Sequence, residues 1–377
     1  MKKIAYIGFY DLENSKYHRF SNVAAIRKMN YIADSLIRAD LKVQIISASW
    51  VTNPLSVTLP KTVKRNCGTT VKFGPSLNIY DPLSLKLTKF LSLTWLFFWM
   101  LLNLKKNDRV LIYHSPLLFY PVYFSKLIIG YTLILEVEEI YSEVWKISTS
   151  EQKKEKNLLM IADNYIPSSE QLSKLLGEKS LFVCHGCYKP LRTTIKKSED
   201  LNINVVYAGT IDQLKGGAFI GLESFRYLEE KYSLHIAGYG SNHDINLLKN
   251  RILDINSKLN RNAVIYHGML NEEDLSNLLN KCSIALNPQK TGDYMNTAFP
   301  SKLLVYLSYG LSVVSSKISS ILNSDIANLV NFVERTDPIS FANAIQKVNT
   351  ENSDEIIQSL QKLDEKFVSN LKTLFIK

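Results

Sequence analysis

Short apolar segments that read as strands alternate with helix-length segments along this 377-residue chain, and the alternation starts twice. The first series opens with IAYIGF (4–9), followed by a helix from about Ser21 to Arg38 carrying Ala25, Met29, Ile32 and Leu36 on its apolar side. VQIIS (43–47), a Pro-, Ser- and Thr-rich loop region (51–84), an apolar helix, RVLIYH (109–114), a second apolar helix, TLILEVE (132–138), LLMIADNYI (158–166) and LFVC (181–184) continue it. A fresh first strand, INVVYAG (203–209), opens the second series, with YSLHIAG (232–238), NAVIYHG (262–268), CSIALNP (282–288) and LSVVSS (311–316) behind it. Apolar strands separated by helices make parallel sheets covered on both faces. A chain of this size exceeds what one core holds, so the expectation is α/β, with two doubly wound Rossmann-like domains facing a central cleft. Residues 185–200, with Gly186, Pro190 and the mixed charges KKSED, form the natural linker. This sets residues 1–186 as one domain and 187–354 as the other, and the last 25 residues read as a helix returning to the first domain (about 355–377).

The formal charge of +10 is unevenly placed: residues 1–190 hold 25 Lys and Arg against 15 Asp and Glu, and residues 191–377 hold 20 against 20. The first half is therefore expected to meet an anionic membrane surface peripherally. Nucleic acid is not expected as a partner, because no basic run is interleaved with aromatics. The start MKKIAYIGFY fails as a secretory signal, since Asp11 and Glu13 interrupt the apolar run. FLSLTWLFFWMLLNL (90–104) is uncharged over 15 residues, short of the roughly 20 that span a bilayer. A buried helix is the first reading and an interfacial helix the second, given two Trp, three Phe and the nearby Lys86, Lys89, Lys105 and Lys106. Four cysteines without a signal point to a reducing, cytoplasmic setting. Cys184 and Cys187 have CxxC spacing, but no second pair completes a metal set, and no cofactor is expected.

FPSKLLVYLSYGLSVVSS (299–316) reads as a turn, a helix of about ten residues, a glycine stop at Gly310 and a buried strand. Its one charge, Lys302, lies in the first helical turn, where a cation is favourable only beside an anion such as a phosphate. The loop Gly209-Thr-Ile-Asp-Gln-Leu-Lys215-Gly216-Gly217 has the glycines and the lysine of a phosphate cradle without the Walker order. Gly238-Tyr-Gly240 is a further close-approach loop. Strand ends at Gly8, His114, Glu138, Gly209, Gly238, Gly268 and Asn287 fall where open sheets bind ligands.

On these residues the second half resembles GT-B glycosyltransferases of the family 4 type. VVYAGTIDQLKGG resembles their donor-phosphate loop, LHIAGYG the next strand and loop, AVIYHGMLNEEDLSNLLNKCSIALNPQ the nucleobase and ribose stretch, and FPSKLLVYLSYGLSVVSS the terminal donor helix. In the first half LEVEEIYSE resembles a segment of bacterial polysaccharide transferases. The resemblance implies a donor site from Gly209, Lys215, Gly216, Gly238, Gly240, Asn287, Ser301, Lys302 and Tyr306, with Lys302 and Tyr306 on the donor diphosphate. Two departures stand out: the family's paired glutamates fall at Thr297 and Val305, and its phosphate-loop arginine at Thr210.

On the acceptor side, Glu138 and Glu139 end an apolar strand, where a carboxylate accepts an acceptor hydroxyl proton, and His114 is a second candidate. His18 and Asp11 are weaker ones. The resemblance implies transfer from a nucleotide diphosphate-sugar, UDP-linked, to a lipid-linked glycan of a surface polysaccharide (O-antigen, capsule or exopolysaccharide) at the inner face of the cytoplasmic membrane, with no metal. A catalytically silent partner of another transferase and a sugar-nucleotide epimerase remain as alternatives.

Overall fold

The computed structural model describes residues 2–12, 15, 18–53, 56–65, 68–78, 82–144, 146–192, 202–213, 217–290 and 298–376. The chain divides into two compact units: unit 1 is Met1–Cys187 with Glu365–Lys377, and unit 2 is Tyr188–Asp364.

Unit 1 contains β1 (Lys3–Gly8), α1 (Val23–Arg38), β2 (Lys42–Ser47), β3 (Ser56–Thr58), β4 (Lys61–Lys64), β5 (Thr70–Phe73), β6 (Ser76–Asn78) and α2 (Pro82–Asn103). Then follow β7 (Arg109–Tyr113), α3 (Phe119–Ile129), β8 (Thr132–Val137), α4 (Tyr141–Val144), α5 (Thr149–Ile161), β9 (Asn164–Pro167) and α6 (Glu170–Leu176). Its main sheet runs β4-β5-β2-β1-β7-β8-β9, parallel apart from β4, which pairs antiparallel with β5. A small antiparallel pair joins β3 and β6. The region expected as loop (51–84) therefore holds four short strands. Leu158–Ile161 closes α5 instead of opening a strand, and residues 181–184 lie outside the regular strands.

Unit 2 holds β10 (Ile203–Ala208), α7 (Gly217–Ser224), β11 (Tyr232–Ala237), α8 (Asn242–Lys258), β12 (Val264–Tyr266), α9 (Glu272–Asn280) and β13 (Ile284–Asn287). It continues with α10 (Lys302–Ser308), β14 (Ser312–Ser316), α11 (Ser319–Leu322), β15 (Val330–Val333), α12 (Pro338–Lys347) and the first part of α13 (Ser353–Ile376). Its six strands run β12-β11-β10-β13-β14-β15, all parallel, so the strand order reverses between β10 and β13. In unit 1 the corresponding reversal lies between β1 and β7.

Local chemistry sets the element ends. The Asn22 side chain accepts from the Ala24 N–H to start α1, and Ser148 with Glu151 forms a reciprocal cap on α5. Gly310 has φ +67 in the turn out of α10, and a Cβ there would lie 2.1 Å from Ser353 Oγ, so only glycine fits. Each unit has its own apolar core: Ile7, Leu96, Trp99, Leu111 and Leu135 are buried in unit 1, and Val205, Phe225, Leu234, Ile284 and Phe341 in unit 2.

Candidate functional site

In unit 2 the strand reversal brings the turn after β10 beside the start of α10. The Lys302 Nζ lies 4.6 Å from the centroid of the Tyr207 ring and 3.8 Å from the point where a Gly209 Cβ would stand. The start of the Gly209 loop thus lies beside Lys302, whereas Lys215, the lysine that the sequence pairs with Lys302, lies outside the described residues. A cation above a tyrosine face is held in place by the ring's negative quadrupole. Helix α10 has seven residues, shorter than the sequence implies, and Ser301 precedes it without capping it through its side chain. Ser301 is exposed.

The glycines of this edge serve the neighbouring turns. The Gly209 N–H donates to the Ala237 carbonyl (3.0 Å), Ile211 to Tyr239 (2.7 Å) and Gly238 to Gly268 (2.8 Å). A Cβ on Gly238 would stand 1.8 Å from the Gly209 oxygen, and one on Gly240 would stand 2.2 Å from the Ile211 oxygen. Both glycines are therefore required for close approach of backbone to backbone, whatever ligand binds nearby.

Two expected donor residues are corrected. The Tyr306 hydroxyl is buried, accepts from the Ala208 N–H (2.8 Å) and donates to the Ala208 carbonyl (2.9 Å). Burial raises its pKa, and the side chain pins α10 to the end of β10 instead of reaching a diphosphate. The Asn287 side chain is fully buried, with Nδ2 donating to Ser315 Oγ at 2.8 Å, so it ties β13 to β14 and is not offered to a ligand. Val305, at the position of the family's glutamate, is half-buried. Lys215, Gly216 and Thr297 lie outside the described residues.

Unit 1 presents charge at its strand ends. Glu136 and Glu138 are two residues apart, so their side chains point to one face of the sheet, the face that α1 covers. Lys28 of α1 reaches them: Nζ pairs with Glu138 Oε1, donates to the Cys184 carbonyl (2.7 Å) and lies 3.8 Å from Glu136 Oε1. Tyr6 of β1 donates its hydroxyl to Glu136 Oε2. Burial opposes the Lys28 charge, but Glu138, Cys184 and Glu136 outweigh it and its pKa rises. Burial pushes Glu136 up to about 8, with Lys28 offsetting part of the shift, so Glu136 holds a proton at neutral pH. The arrangement therefore carries one ammonium and one partly exposed carboxylate, Glu138, over a protonated acid. Lys28, Tyr6 and Glu136 are missing from the sequence-derived set. One signal existed for Lys28: it falls inside the apolar stripe of α1, three residues after Ala25 and four before Ile32.

His114 follows β7 directly but is corrected as a catalytic candidate. It is buried, its Nε2 lies 3.6 Å from Glu155 Oε1, and burial pushes its pKa down to about 4 against the pull of Glu155. Glu155 in turn accepts from the Tyr141 N–H (2.7 Å) and the Ser142 N–H (2.9 Å), closing the turn that follows Glu139. His114 is thus a neutral support for that turn. Glu139 stays half-buried at the strand end beside it. Asp11 accepts from the backbone of Leu12 (2.9 Å) and Arg19 (2.7 Å), a structural task. The Cys184 thiol donates to the Gly186 carbonyl (3.6 Å), and among the described residues no group of three His, Cys, Asp or Glu side chains could hold a metal ion. Surface depressions of about 460 and 380 Å³ are lined by none of the residues selected from the sequence.

Comparison with known proteins follows this division. Residues 202–351, most of unit 2, match the model of the family described as Glycosyl transferases group 1. A protein of Bacillus subtilis described as a teichuronic acid biosynthesis glycosyltransferase, TuaH, is 27% identical over 99 residues, 26% of this chain. That match spans a quarter (25%) of TuaH's length. Solved structures match throughout: a trehalose-6-phosphate protein from E. coli bound with UDP-2-fluoro glucose has a TM-score of 0.66 at 12% identity, over 100% of this chain and 98% of its own. A UDP-forming trehalose-phosphate synthase from Burkholderia xenovorans gives 0.65 at 12% identity, over 100% and 98%. HepE of Anabaena in complex with UDP gives 0.58 at 13% identity, over 99% and 98%. The fold is GT-B, as expected from the sequence, and the likeness to group 1 glycosyl transferases covers residues 202–351.

Proposed function

We propose that this protein transfers a sugar from a nucleotide diphosphate-sugar, UDP-linked, to a lipid-linked glycan of a surface polysaccharide at the inner face of the cytoplasmic membrane. One observation carries the donor half: the Lys302 ammonium beside the Gly209 turn, at the strand reversal of unit 2. A fixed cation there offsets the negative charge that grows on a departing nucleotide diphosphate. UDP or a UDP-sugar in the matched structures from E. coli and Anabaena supports the choice of nucleotide. Ser301, Lys215 and Gly216 complete the proposed donor site. The acceptor half rests on Glu138, which takes the acceptor hydroxyl proton, with Glu139 orienting the sugar. The surface-polysaccharide assignment draws on TuaH's description. No metal or other cofactor takes part.

Lys302→Ala tests the donor assignment. Its kcat is expected to fall by about 10²–10³, with weaker UDP binding by calorimetry. Unchanged turnover refutes the assignment. A chain that binds no nucleotide at all is instead a silent partner of another transferase.

A further inference from the structure

Helix α2 is longer than its uncharged run implied, and Ser84–Asn103 is long and apolar enough to cross a bilayer by length and composition alone. One of its faces is nevertheless part of the unit 1 core: Leu96, Trp99 and Met100 are buried, and Ser92 Oγ donates to the Ala48 carbonyl at 2.7 Å. Only 28% of the window is buried, so the expectation of a buried helix fails for its other side. There Phe90, Leu91, Phe98 (54% exposed) and Leu102 (84%) face outward. Helix α3 packs beside it and exposes Tyr120, Tyr123, Phe124, Leu127 (70%) and Ile128, a stripe at i, i+3, i+4, i+7 and i+8. Two neighbouring helices with this much bare apolar surface need a partner.

We propose that the outer face of α2 and α3 lies flat in the interface of an anionic membrane. Charge selects this occupant over a second copy of the chain or a neutral protein. Neither helix carries a carboxylate; Lys86 and Lys89 are the charges of α2, while Lys126 of α3 pairs with Asp163. Lys105 and Lys106 follow α2 directly, and Lys154 of α5 stands 5.2 Å from the ring centroid of exposed Tyr120. Aromatics and aliphatics bordered by lysines match the boundary between acyl chains and anionic headgroups. Burial of the Leu96 side in the core holds the helix on the surface and prevents it from spanning. The site builds on the lipid-linked acceptor proposed above: α3 starts just after His114, whose carbonyl accepts from Tyr141 (3.4 Å), at the sheet edge that carries Glu138. A glycan on a lipid in that membrane meets the edge without leaving the surface.

Co-sedimentation of the full chain with vesicles tests this. Vesicles of phosphatidylglycerol and phosphatidylcholine should bind it at least about tenfold more tightly than phosphatidylcholine alone. The double substitution Phe98→Glu with Leu127→Glu should cut that binding by at least about tenfold. Lys105→Glu with Lys106→Glu should remove the preference for anionic lipid while UDP binding stays at the wild-type level. Undiminished sedimentation of the Phe98→Glu, Leu127→Glu chain overturns the proposal. So does a wild-type chain that ignores vesicles but dimerises in analytical ultracentrifugation through this face. The readout is binding and not transfer, so a failed donor assignment leaves the vesicle result standing.

Discussion

The same doubly wound topology closes on opposite chemistry in the two units. At the strand ends of unit 1, ionisable side chains are packed into the protein: Lys28 among Glu136, Glu138 and Tyr6, and His114 against Glu155. At the strand ends of unit 2, the turns are laced backbone to backbone by Gly209, Gly238 and Gly268, with the Lys302 ammonium beside the first of them. Buried acid and base pairs tune proton affinity, which suits handling a hydroxyl; close-packed turns and a fixed cation suit a polyanion. The shared topology fixes where strands end, and the residues at those ends give each unit its own chemistry.

The comparison breaks most visibly at Glu138. Replacing it with Gln should lower kcat by about 10²–10⁴ while UDP affinity stays unchanged in calorimetry; an equal loss of UDP binding would erase the division of labour. Next in size, Lys28→Met leaves the Glu138 carboxylate without its counter-charge and should cost about 3–5 kcal/mol in urea unfolding. Tyr306→Phe sharpens the other side. Losing the pin between α10 and β10 should cost about 1–2 kcal/mol and weaken UDP binding only through the position of Lys302. A further effect is a slope. Glu136 has a folded pKa pushed up to about 8, above its unfolded value, so its contribution is complete below the unfolded pKa and is lost as pH rises through 8. Unfolding free energy should therefore decline from about pH 5 to pH 8, and Glu136→Gln should flatten that decline.

The strand and helix alternation made most of both sheets legible, because each element carries its own periodicity. The short strands between 56 and 78 were not, since runs of three or four residues rich in Ser, Thr and Lys have no local signal, and their pairing partners supply the order. The order of motifs anticipates that Lys302 lies near the loop opening at Gly209, while its partner lysine in that reading, Lys215, lies outside the described residues. The cluster around Glu136 joins residues 110 and 130 positions apart, and only the fold brings Tyr6 and Lys28 to it. Tyr306 was assigned to the wrong task because a tyrosine one helical turn after a lysine looks alike whether its hydroxyl meets a ligand or a backbone.

Helix α13 sets the order in which the molecule is completed. It begins in unit 2, but Phe367, Leu371 and Phe375 are buried in unit 1, where Phe367 stacks on Tyr31 with centroids 5.3 Å apart and Lys372 pairs with Asp40 (2.8 Å). Unit 1 is thus finished by residues that follow all of unit 2 in the chain. During synthesis unit 2 has its whole sequence in hand before unit 1 does, and a nascent chain stalled at Asp364 leaves the unit 1 surface around Tyr31 open to solvent.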